Sequence, residues 1–142
     1  MNYDLKLTVS ESIVAPAAAV WKGLTDKEMI KKYFFGTEVE SDWKAGSTII
    51  FTGSWEGHQY IDRGTILEIE KEKLIKYNYW SSMSGLEDKP ENYAIIIYRL
   101  NTNNGQTSLS VTQEGFKDRK ACDHSAEGWK GVLRELKKLL EA

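Results

Sequence analysis

Three groups of residues have the types and spacing for chemistry. Glu56, His58 and Asp62 lie close together, and Cys122, Asp123 and His124 are consecutive. Glu11 breaks an otherwise apolar set of alternating positions near the start of the chain. A carboxylate or histidine held in a dry pocket supplies general acid–base catalysis, and Tyr77, Tyr79 and Tyr98 could add hydroxyls. Glu11 either turns inward with a shifted pKa or pairs with a cation such as Arg99. Cys122 and His124 could provide two zinc ligands, with two more needed from elsewhere. A simpler reading makes Asp123 or Ser125 the cap of the helix that follows and His124 part of its exposed first turn. As a lone cysteine, Cys122 reads as a small buried residue rather than a reactive thiol. The chain contains no phosphate-binding loop, G-x-G-x-x-G, H-E-x-x-H or nucleophile elbow. The residues therefore favour no metal, no cofactor and no catalytic constellation.

The elements that position these groups can be read from hydrophobic period. Tyr3 to Ile13 alternates, with Leu5, Leu7, Val9 and Ile13 on one face, which predicts a half-buried strand. Pro16 fits the first turn of a short helix over Ala17 to Leu24. Thr25 and Glu28 have capping-box spacing and predict a second short helix carrying Met29, Ile30 and Tyr33. An antiparallel meander follows from about Val39. Its predicted strands are Ser47 to Thr52, Tyr60 to Ile69, Leu74 to Trp80, Tyr93 to Leu100 and Thr107 to Glu114. Gly53 to Gly57 reads as a turn, Asn103-Asn104-Gly105 as a hairpin, and Ser81 to Asn92 as a longer loop. From Gly128 onward the apolar residues Trp129, Val132, Leu133, Leu136, Leu139 and Leu140 form one helical face. That face needs a sheet to cover it. The gap between them holds either a packed core or a pocket. Phe51, Tyr79, Tyr98 and Trp129 could face it, with Phe34 and Met29 near one end.

Composition narrows the function classes. The chain has 142 residues, 19 basic and 21 acidic, which suits one domain over 1–142 without a dominant nucleic-acid or anionic-membrane surface. No apolar run is long enough for a membrane span, and the N-terminus lacks a secretory h-region. The single cysteine excludes an internal disulfide and fits a reducing cytoplasm. Trp55 stands in a Gly-flanked turn, where a large aromatic could gate a cavity or cover the end of a core.

Several stretches resemble one known family. Ala15 to Trp21 running into Leu24-Thr25-Asp26-Lys27-Glu28 is similar to its N-terminal signature. Gly64 to Ile69 resembles its central strand, and Thr107 to Phe116 with Gly128-Trp129 its C-terminal signature. This is the domain named after the activator of Hsp90 ATPase, in the START/Bet v 1-like, polyketide cyclase-like superfamily. The resemblance implies an α+β helix-grip fold: a curved antiparallel sheet around a long C-terminal helix, often enclosing an apolar cavity. On that basis Phe34, Phe51, Tyr79, Tyr98, Trp129 and Leu133 are the expected walls and Trp55 the expected gate. The expected function is noncovalent binding of a small apolar or aromatic molecule. The alternatives are a stress-related, chaperone-associated protein-interaction domain and a cyclase- or hydrolase-type enzyme. The eukaryotic cochaperone behind the family name carries a further N-terminal domain ahead of the first strand, so Hsp90 activation does not transfer by fold alone.

Overall fold

A computed structural model describes residues 1–142, the side chain of Trp55 excepted. Strand β1 (Asn2–Ile13) leads into helices α1 (Ala17–Thr25) and α2 (Lys27–Tyr33). Strands β2 (Glu38–Ser41), β3 (Thr48–Trp55), β4 (His58–Glu70), β5 (Leu74–Tyr79), β6 (Ala94–Asn103) and β7 (Gln106–Phe116) follow. The long helix α3 (Arg119–Glu141) ends the fold. The strands form one curved antiparallel sheet in the order β1-β7-β6-β5-β4-β3-β2, so the first strand closes on the last. This is the helix-grip arrangement. A one-turn 3-10 helix, Pro90–Asn92, lies inside the predicted long loop.

Side-chain alternation determines which face of the sheet α3 covers. In β1, Leu7 and Ile13 are buried while Lys6, Thr8 and Ser12 are exposed. Helix α3 buries Cys122, Trp129, Val132, Leu133 and Leu136 against the same core as Ile66, Ile75, Ile96, Leu109 and Val111. Apolar area on this scale is the main stabilising term, at about 25 cal/mol per Å² removed from water. Helix α1 adds Val20 and Leu24 to one end of that core, and α2 adds Ile30 and Tyr33.

The boundaries depart from the sequence reading where local polar chemistry intervenes. Helix α2 is capped by Asp26, whose carboxylate accepts from the Glu28 and Met29 amides at 2.9 and 3.2 Å. Thr25 is not the cap; its hydroxyl donates to the Trp21 carbonyl at 2.9 Å. Helix α3 is likewise capped by Asp118, which accepts from the Ala121 amide at 2.8 Å. Asp123 and Ser125 therefore lie inside a helix that starts well before Gly128. Strand β3 runs through Gly53 to Trp55, and the turn is confined to Glu56-Gly57. Both Glu56-Gly57 and Asn104-Gly105 carry two successive positive φ angles, the geometry of tight hairpin turns. Tyr60, paired with Gly53 across the hairpin, packs over the space a side chain at 53 would need. A Cβ there would sit 2.4 Å from the Tyr60 hydroxyl, which instead reaches Thr37 Oγ1 at 2.6 Å.

Candidate functional site

The long helix does not fill the concave face of the sheet. A cavity of about 790 Å³ opens between them. Its apolar walls come from Phe34 after α2, Phe51 on β3, Tyr77 and Tyr79 on β5, Ile96 on β6, and Trp129 and Val132 on α3. Residues Ser81 to Asn92 supply part of its boundary through Met83 and Leu86. Phe35, Lys117, Lys120 and His124, all exposed, line it as well.

Aromatic edges hold the walls in place. The Phe34 ring meets Trp129 edge-on with centroids 6.0 Å apart, and Phe51 meets Tyr79 edge-on at 5.5 Å. Phe51 also packs on Tyr77 at 5.9 Å. Tilted and edge-on pairs of this kind suit the quadrupoles of aromatic rings. The Trp129 indole is fixed at its polar end, where Nε1–H donates to Gln113 Oε1 at 2.8 Å.

The expected wall residues separate into two layers. Phe34, Phe51, Tyr79 and Trp129 line the cavity itself. Tyr98 lies behind them, packed against Trp129 at 5.9 Å and Tyr77 at 5.8 Å, and its hydroxyl bonds that of Tyr77 at 3.1 Å. Leu133 is buried in the core and does not reach the cavity. Met29 is half-buried and also outside the lining. The side chain of Trp55 lies outside the described residues.

The polar groups singled out in the sequence are dispersed. Glu56 and His58 are exposed at the β3–β4 turn, whereas Asp62 is buried on the cavity wall. Glu11 is half-buried opposite Leu109, and among the described residues it forms no ion pair with Arg99. Cys122 is buried with its Sγ 3.8 Å from the Lys6 carbonyl, and no group of three or more metal-ligating side chains occurs among the described residues. Tyr77 and Ile96 escaped the list of expected walls. Strand alternation from Tyr79 and Tyr98 would have placed both on the inner face.

Burial governs the titration of the inner tyrosines. Desolvation pushes Tyr33, Tyr77 and Tyr79 well above the usual phenol value. The Asp62 charge and hydrogen bond raise Tyr79 further. Burial takes Tyr98 up to about 12, with the hydrogen bond from Tyr77 acting in the opposite direction. These hydroxyls remain protonated donors across the physiological range.

Comparison with known proteins bears on the same architecture. Residues 14–141 match the family model described as activator of Hsp90 ATPase homolog 1-like protein. The chain is similar to ChR145 from Cytophaga hutchinsonii, with 38% identity over 99% of this chain and 97% of that one and a TM-score of 0.84. Protein CV1439 from Chromobacterium violaceum shares 21% identity over 98% and 99% of the two chains, with a TM-score of 0.80. PFC0360w, an Hsp90 activator from Plasmodium falciparum, covers 96% of each chain at 16% identity and a TM-score of 0.76. At such identities the last two likenesses concern the fold alone. None of the curated proteins matches the chain. No helix among the described residues is long and apolar enough to cross a membrane.

Proposed function

The chain belongs to the activator of Hsp90 ATPase homolog 1-like family, and from that premise we propose that it binds a small apolar or aromatic molecule noncovalently between sheet and long helix. One observation carries this reading: the open cavity of about 790 Å³, where a packed core would have been energetically preferred. Its size lies within the range of small-molecule sites, about 300–1,000 Å³, and its walls are mostly aromatic with a few polar groups. Phe34, Phe51, Tyr79 and Trp129 would contact the ligand directly. Tyr98 and Leu133 would support those walls from behind, and Trp55 would act as the gate. The family also supports a chaperone-activator role, which would use the outer surface and leave the cavity empty.

A thermal-shift screen against aromatic and hydrophobic metabolites tests the proposal. Ligand at a hundred times its Kd stabilises the native state by about 2.7 kcal/mol, so one chemical class should raise Tm saturably. In Trp129→Ala, affinity should fall by more than the loss of stability explains. Unchanged affinity in a folded variant removes Trp129 from the wall. Silence across the whole library rejects the binding reading in favour of a protein partner.

A further inference from the structure

The cavity wall contains a buried carboxylate that a purely apolar ligand would leave unused. Asp62 lies on β4 directly opposite Phe51 of β3, is only 6% exposed, and lines the cavity. Its Oδ1 accepts from the Ser82 amide at 2.9 Å and from the Ser82 hydroxyl at 3.3 Å. Its Oδ2 accepts from the Tyr79 hydroxyl. A carboxylate offers about four acceptor positions, so these donors leave one unfilled.

The charge also lacks a partner. Among the described residues no Lys, Arg or His nitrogen pairs with Asp62. The adjacent Arg63 has alternated to the outer face. There its Nε lies 3.6 Å from Asp88, and its guanidinium sits 5.8 Å from the Trp80 ring. A buried carboxylate without a counter-charge is costly, and a bound cation would offset that cost. Lys117, Asp118, Lys120 and His124 line the same cavity around the start of α3, but they are exposed and screened by solvent. Desolvated charge interacts more strongly than screened charge.

Resting on the binding reading above, the geometry points to an amine ligand, whose aromatic or aliphatic body fills the cavity while its ammonium group donates to Asp62. Tyr79 then serves two purposes, as an apolar wall and as the donor that holds the carboxylate in place.

Isothermal titration calorimetry at neutral pH with three matched probes decides this: naphthylmethylamine, naphthylmethanol and naphthoate. The amine should bind about tenfold or more tighter than the alcohol, with naphthoate weakest, as a charge-assisted hydrogen bond requires. In Asp62→Asn, which retains an oxygen for Ser82, amine and alcohol should converge. Adding the amine to the unaltered protein should also shift the NMR resonance of the Ser82 amide, a measurement that holds even if the variant does not fold. Naphthoate binding as tightly as the amine would overturn the inference and assign the polarity to the exposed cations. An amine preference that survives in Asp62→Asn would overturn it too. Equal binding of all three probes rejects the amine but keeps the pocket; binding of none overturns the inference and leaves the pocket to be decided by the thermal-shift screen.

Discussion

Phe35 is a bulky residue on the cavity lining with a backbone conformation that favours glycine. It follows α2 with a φ of 56°, a left-handed conformation normally left to glycine at a helix end. The residue is 66% exposed at the cavity, and its ring meets Phe34 edge-on at 6.3 Å. A bulky residue in this conformation costs about 1–2 kcal/mol. Phe35→Gly should therefore raise stability by about 1 kcal/mol in denaturant unfolding while weakening binding of a naphthyl probe. A loss of stability instead would mean that ring packing outweighs the backbone cost. The strain has no signature in the sequence, because nothing in residue type marks a left-handed phenylalanine.

At the scale of elements, the caps and one close approach between strands govern the architecture. Asp118→Ala removes the acceptor for the Ala121 amide and should cost about 1 kcal/mol. Asp123→Ala, one turn further into α3 and exposed, should change stability by less than about 0.5 kcal/mol. Equal costs in chemical denaturation would return the cap to Asp123. Gly64 illustrates the second constraint. A Cβ on it would fall 1.7 Å from the Asn78 carbonyl oxygen, so β4 and β5 could not pair as they do. Gly64→Ala should destabilise by about 3 kcal/mol, read as a lower denaturation midpoint. A neutral effect would mean that the pair can part without consequence. The strand period and hairpin turns could be read from sequence because they depend on neighbours in the chain. The caps were misplaced because several Asp, Ser and Thr residues compete for each helix start.

For the whole molecule, the inner tyrosines couple folding to alkaline pH. Tyr33, Tyr77, Tyr79 and Tyr98 have folded pKa values raised above their unfolded value near 10, Tyr98 to about 12. Each of these tyrosines favours its neutral form in the folded state. Their contribution is fully present below pH of about 10 and is lost as pH rises through the folded values. The unfolding free energy should fall steadily above pH of about 10, and part of the tyrosinate absorbance should appear only with unfolding. Complete tyrosine titration near pH 10 in a protein that keeps its circular dichroism would contradict this burial.

The sequence by itself determined the sheet, the long helix and the family, since these follow from alternation, helical period and short motifs along the chain. Phe34, Phe51, Tyr79 and Trp129, candidates in the sequence for the gap between sheet and helix, line the cavity. Only the tertiary structure decided that the gap stays open, that Tyr98 and Leu133 stand behind the wall, and that Asp62 rather than His58 faces inward. These outcomes depend on how far α3 stands from the curved sheet and on the register that sets Asp62 opposite Phe51. Distances between elements far apart in the chain have no counterpart in local residue patterns.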